Sequence, residues 1–272
     1  MGNSSSVSKF GYVAKQPDSN GEIYFSISEH EIWNKLYSRQ INLIQEHAFY
    51  QYLEGIKHLN LDDNGIPRLS KINSILLKST GWQLQPVDCT ISFDYFFHLL
   101  SNKKFPAAAF IRRSEDFDFV PVPDIFHEIF GHCPLLLNKE YANLSYKIGK
   151  LGVKMSKEDQ KYLARIYWFT IETGLIKSNK NIEIYGGSIL SSYSEYNYAT
   201  TSELPLRLPF NLLDILRTPY RVDVLPNVYF NISSFEQLQE ITEEIIIEYI
   251  EKAKVLGDFR SLYPPRDIAK IA

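Results

Sequence analysis

Cysteine is nearly missing from this chain: two residues, Cys89 and Cys133, in 272. That excludes a disulfide framework and a cysteine-based zinc site, so any metal must be held by histidine and carboxylate. Long apolar runs are missing too. No stretch of 18 apolar residues occurs, and the opening MGNSSSVSKFGYVAKQ lacks the apolar segment of a secretory signal, so a cytoplasmic protein without a membrane span is expected. Charge of one sign is scarce: 29 basic against 32 acidic residues leave a net charge of -3. Neither nucleic acid nor an anionic membrane is expected as a partner. No repeat, low-complexity run or Pro/Gly linker divides the chain, which predicts a flexible tail over residues 1–20 and one catalytic domain over 21–272. The opening Met1-Gly2-Asn3-Ser4-Ser5-Ser6 matches the short N-myristoylation pattern, but its undemanding positions match often by chance, and a plain polar tail is the expected reading. What the sequence has in excess is aromatic rings, 18 Tyr, 17 Phe and 3 Trp, enough to wall a core or a pocket.

Helical periodicity dominates, which makes the fold mainly α with a few short strands, an α+β arrangement. Apolar residues Ile32, Leu36, Ile41, Ile44, Phe49 and Leu53 recur at three and four spacings, as in two helices lying on a core. A short helix is expected over 71–78, an alternating strand over 81–87 and a further helix over 93–100. Ser156 with Glu158 and Asp159 resembles a capping box and opens a helix running to about residue 176. Ser234 with Gln237 opens another, ending near Gly257, a good left-handed cap.

The chemistry concentrates in Pro121-Val122-Pro123-Asp124-Ile125-Phe126-His127-Glu128-Ile129-Phe130-Gly131-His132-Cys133-Pro134. Zincin helices carry histidines four apart on one face, with a glutamate between them as general base. Here His127 and His132 are five apart, about 140° on a regular helix, so the helix must yield between them if both are to face one ion. Gly131 permits this, and Pro134 biases Cys133 away from helical geometry. The simpler alternative is two histidines that never meet. Glu172 supplies the third candidate. Phe169, Trp168, Leu175 and Ile176 surround it at helical spacing, and a carboxylate there needs a cation or a hydrogen-bond donor. Two histidines and one carboxylate suggest a site with open positions for non-heme Fe(II). Zinc with a bound water is the competing metal, and a zinc hydrolase with Glu128 as base the competing chemistry.

The string PDIFHEIFGHCPLL, then IYWFTIETGLI, then YGGSILSSYSE, resembles the catalytic domain of the tetrahydropterin-dependent aromatic amino acid hydroxylases, most nearly the short bacterial phenylalanine 4-hydroxylases. The likeness covers roughly residues 22–240. It implies the aromatic amino acid hydroxylase catalytic-domain fold and Fe(II) held by His127, His132 and Glu172. It also implies a tetrahydrobiopterin or related cofactor, and conversion of L-phenylalanine to L-tyrosine with dioxygen. Tryptophan and tyrosine are the rival substrates. The resemblance further implies Asp124 as an acceptor behind the His127 imidazole, with helix N-capping as its plainer role. Glu128 and Tyr167 fall beside the reacting groups, Glu128 toward the pterin and Tyr167 near the metal without being required for the chemistry. Phe96 matches the ring that stacks on the pterin, with Phe97 as the neighbouring candidate. Arg112 matches the residue that binds the substrate carboxylate, with Arg113 beside it. Ser191 assists from behind a ligand, Trp168 walls the pocket, and Val222, next to Asp223, falls where a small apolar residue favours phenylalanine. At Phe119 and Val120 the sequence departs from the hydroxylated pair of animal members. The regulatory domain and tetramerisation coil of those enzymes have no counterpart, which implies a monomer or dimer.

Overall fold

The computed structural model describes residues 8, 10–118, 120–177 and 182–263. Helix α1 (Ile27–Ile44) opens on a complete capping box, in which Ser26 accepts from the Glu29 amide and Glu29 from the Ser26 amide. It is followed by α2 (Tyr50–His58) and α3 (Leu69–Ser79). Strand β1 (Gln83–Val87), α4 (Phe93–Ser101) and β2 (Lys104–Ala108) form one crossover unit, and because a helix joins the two strands they pair in parallel. Beyond the site segment come α5 (Cys133–Leu136), α6 (Lys139–Gly152) and α7 (Lys157–Tyr167), then β3 (Leu175–Lys177), β4 (Ile182–Ile184), α8 (Gly187–Ser191) and α9 (Tyr193–Thr201). The chain continues through β5 (Leu206–Pro209), α10 (Leu212–Arg217), β6 (Val228–Ile232), α11 (Glu236–Gln239) and α12 (Glu243–Leu256). The second sheet runs β4-β3-β6-β5, antiparallel only at β3–β4.

The aromatic excess goes largely into one continuous core. Trp33, Trp82, Tyr52, Phe97, Phe126, Phe130, Phe169 and Phe230 are all fully buried. Phe126 and Phe130 stack with centroids 4.8 Å apart, and Trp33 meets Phe126 edge-on at 5.2 Å. These contacts fix the back of the segment whose front carries the two histidines.

Three expectations change. Residues 10–20, read as tail, lie on the domain: Tyr12 and Ala14 are buried, the Tyr12 ring sits 4.6 Å from Phe110, and the Lys15 amide donates to the Ala109 carbonyl at 2.8 Å. The acylation-like Gly2 lies outside the described residues, as does Phe119. The helix from Ser156 stops being α-helical after Tyr167, passes through a wider π turn over Trp168–Glu172 and gives way to β3. The final helix is two: α11 ends before Ile241, and Thr242 caps α12 by accepting from the Ile245 amide. Gly257 does end α12, with φ of 70°. Among the described residues no helix is long and apolar enough to cross a membrane.

Candidate metal centre

The five-residue spacing of the histidines is resolved by a change of helix type. His127–His132 form a π turn, whose hydrogen bonds close on the fifth residue rather than the fourth and so return residue i+5 to the face of residue i. Pro134 contributes, though differently from its expected effect on Cys133, which keeps helical dihedrals (φ −58°, ψ −36°). Lacking an N–H, proline cannot satisfy the carbonyl four residues back. That carbonyl, on Phe130, instead accepts from the Tyr52 hydroxyl at 2.6 Å. Gly131 is required by packing: a Cβ there would stand 2.7 Å from the Gly187 carbonyl oxygen. A Cβ on Gly187 would in turn stand 2.3 Å from the His132 ring. The second π turn, Trp168–Glu172, is sealed by the Thr173 amide and hydroxyl, which both donate to the Trp168 carbonyl, at 2.9 and 2.8 Å. Glu172 therefore does not sit in the helical setting that the spacing suggested. It reaches the site from the end of a widened turn.

The rings of His127 and His132 meet with Nε2 atoms 3.0 Å apart, and Glu172 Oε2 lies 3.6 and 3.4 Å from them. A hydroxyl stands behind each ring. His127 Nδ1 is 2.9 Å from Ser191 Oγ, and that hydroxyl already donates to the Gly187 carbonyl at 2.8 Å. It therefore accepts from Nδ1–H and leaves Nε2 a bare lone pair. His132 Nδ1 faces the Tyr141 hydroxyl at 2.9 Å, and Tyr141 also reaches the Ile171 carbonyl at 3.5 Å. Burial holds His127 down, to about 4. Burial works to raise Glu172, but the facing imidazoles and the Ser188 hydroxyl, 2.7 Å from Oε2, outweigh it and hold the carboxyl down, to about 2. A buried His127 whose proton affinity is lowered, beside a carboxyl held ionised, suits metal binding, which needs deprotonated donors. Two imidazole nitrogens and a carboxylate oxygen converging on one spot form a donor set that fits a divalent metal.

Glu128 also brings a carboxylate oxygen within 4.8 Å of a ring nitrogen of each histidine. Burial, then the charges of Glu172 and Asp124, push its pKa well above the ordinary value. It is thus the weaker donor of the two glutamates, and it is not one of the residues bordering the adjoining cavity. Asp124 does not contact the His127 ring. It accepts from the His127 amide at 3.0 Å, as a cap, and pairs with Arg112 through Nε at 2.8 Å and Nη2 at 2.9 Å. Burial opposes ionisation of Asp124, and Arg112 overcomes it. Ser191 fills the place behind the imidazole.

A cavity of about 420 Å³ opens from His127 and Glu172. Phe96 and Tyr167 line it, edge to face at 5.0 Å, and so do Trp168 and Tyr220, stacked at 4.9 Å. Phe97 belongs to the core instead. Arg112 borders the cavity at 3% exposure, whereas Arg113 lies outside on Glu115 and Asp116. Among the described residues, the Arg112 edge turned from Asp124 hydrogen-bonds only the Phe117 carbonyl, at 3.5 Å. Val222 stands at the rim, 62% exposed, and Asp223 pairs with Arg221. Sequence reasoning missed Tyr141, Ser188, Tyr220 and Glu195. Burial first, then the charge of Glu172, pushes Glu195 up to about 8.

Residues 4–256 match the profile of the biopterin-dependent aromatic amino acid hydroxylases. The phenylalanine-4-hydroxylase of Pseudomonas aeruginosa is 45% identical over 258 residues, 95% of this chain and 98% of the relative. The apo structure of the cold-active phenylalanine hydroxylase of Colwellia psychrerythraea is 44% identical and superposes with a TM-score of 0.89, covering 96% of this chain and 100% of that one. The Chromobacterium violaceum phenylalanine hydroxylase with bound iron(III) and oxidised cofactor 7,8-dihydrobiopterin is 34% identical at a TM-score of 0.83, covering 93% of each chain.

Proposed function

The chain belongs to the biopterin-dependent aromatic amino acid hydroxylases, and from that premise we propose what its own residues contribute to the activity. That activity is the monooxygenation of L-phenylalanine to L-tyrosine with dioxygen and a tetrahydropterin, supported by iron. The metallohydrolase reading loses its ground here, both by family and because Glu128 does not border the cavity.

His127, His132 and Glu172 would hold the Fe(II), and the observation that carries this is the convergence of two Nε2 atoms, 3.0 Å apart, with a Glu172 oxygen 3.6 and 3.4 Å from them. Iron with the reduced pterin supplies the oxygen activation that a protein side chain cannot. The remaining residues bind, orient and exclude. Ser191 and Tyr141 hold each imidazole with Nε2 toward the metal. Arg112, aligned by Asp124, turns its second edge to the substrate carboxylate as a planar fork. Phe96 offers a ring face for the pterin. Trp168, stacked on Tyr220, bounds the site of the substrate ring, and Tyr167 closes the wall between the two. Glu128, buried beside the ligands, stands toward the pterin side. Val222, at the rim, leaves room for an unsubstituted ring. Holding ring, pterin and metal together supplies the proximity on which the reaction depends.

The test is turnover. With Fe(II), a tetrahydropterin and air, the protein is expected to convert phenylalanine to tyrosine, and tyrosine and tryptophan far less well. Equal turnover of tryptophan would remove the specificity given to the rim, and turnover without pterin would remove the pterin role.

A further inference from the structure

The carboxylate of an amino acid has a partner in this cavity, but its ammonium group has none assigned. This inference rests on the phenylalanine reading above and concerns that second charge. Three carboxylates border the cavity: Asp118, Glu172 and Glu195. Asp118 faces solvent and is held by Arg39, whose guanidinium also stacks 4.3 Å from the Phe117 ring. Glu172 is turned to the histidines and held by Ser188. Glu195 is different. It is 9% exposed, and its Oε1 is closed off from solvent without a hydrogen-bond partner. The Tyr229 hydroxyl is close enough to lower its pKa somewhat, yet neither atom makes a hydrogen bond of acceptable geometry.

The chain reaches this arrangement by a misleading route. Ser192 and Glu195 have the spacing of a capping box, and Ser192 does accept from the Glu195 amide at 3.2 Å at the start of α9. The side chain does not complete the box and turns instead to the cavity wall. A carboxyl taken out of water without a donor is costly, and the charge of Glu172 adds to that cost. A cation arriving in the cavity removes both penalties.

We infer that Glu195 accepts the α-ammonium group of the substrate, so that the amino acid is held at both charged ends, carboxylate on the Arg112 fork and ammonium on Glu195. The ligand class this selects is a free α-amino acid with an aromatic side chain. Desamino acids of the same shape are rejected, because a site built around a hydrogen-bonding group discriminates strongly against the analogue that lacks it.

The experiment compares L-phenylalanine with 3-phenylpropionate, which keeps ring and carboxylate but lacks the ammonium, by calorimetric titration of the iron-loaded full chain. Wild-type protein is expected to bind phenylalanine at least tenfold more tightly. In Glu195→Gln the phenylalanine Kd is expected to rise about tenfold or more, with 3-phenylpropionate changed less than twofold and iron content unchanged. Equal weakening of both ligands would mark Glu195 as merely structural, and an unchanged phenylalanine Kd would remove it from the site. Either result overturns the inference. So does equal binding of the two ligands by wild type, a comparison that does not depend on the variant folding. The phenylalanine reading fails separately, by absence of tyrosine formation in the wild-type enzyme.

Discussion

The two ends of the cavity are built on opposite rules. At the candidate metal end each of the three proposed ligands has a counterpart behind it: His127 on Ser191, His132 on Tyr141, Glu172 on Ser188, with Gly131 and Gly187 letting the two segments close together. At the proposed substrate end two buried polar atoms lack counterparts. Glu195 Oε1 and Trp168 Nε1 are buried without partners, Arg112 has one edge committed and one nearly free, and Val222 stands in solvent. The end with its donors already held is the preorganised one. A metal needs its donors fixed before it arrives, because each donor must be deprotonated and aimed. A substrate can bring the missing charges with it.

That contrast orders the expected effects of substitution. His127→Ala, His132→Ala and Glu172→Ala each remove a proposed donor and are each expected to abolish stoichiometric iron while leaving a folded chain. Metal analysis alongside circular dichroism checks this, and full iron in any variant removes that residue from the ligand set. At the substrate end Arg112→Ala is expected to raise KM for phenylalanine roughly ten- to a hundredfold, the loss of about 1.5–3 kcal/mol for a hydrogen bond to a charged group. KM for the pterin should barely move. An equal rise in both would mean that the cavity wall itself had collapsed with the loss of the Asp124 pair. Ser191→Ala removes a supporting hydroxyl rather than a donor, and is expected to weaken iron affinity by roughly tenfold through a loosened His127 ring. Unchanged affinity would show that the backbone turn alone aims the imidazole.

The same contrast explains how much could be read beforehand. The metal end was legible because its residues are of rare type at fixed spacing: two histidines, a glutamate among apolar residues, and a serine in a recognisable string. Even so, the device that unites His127 with His132 was misread. The sequence suggested a helix yielding at Gly131, whereas the turn widens along its whole length and Gly131 serves packing. Periodicity arguments assume 3.6 residues per turn, so they cannot register a turn that closes on the fifth residue. Tyr141 was invisible because a tyrosine in an amphipathic helix looks like any core ring, and only the fold brings its hydroxyl to His132. Glu195 was hidden by its resemblance to a cap. The helices within 29–58, the short helix at 71–78, β1 and α4 were legible from periodicity and alternation, and Ser156 marked the start of α7, whereas β2 and α6 were not foreseen. The packed residues 10–20 were not, since Tyr12 gains its place from Phe110, nearly a hundred residues away.

Oxygen-18 labelling tests the central claim most directly. Enzyme with measured iron content, given phenylalanine, a tetrahydropterin and ¹⁸O₂ in ordinary water, is expected to yield tyrosine carrying one heavy oxygen in its new hydroxyl, while Glu172→Ala yields none. Label arriving from water instead of the gas, or undiminished tyrosine from the Glu172 variant, would contradict the account.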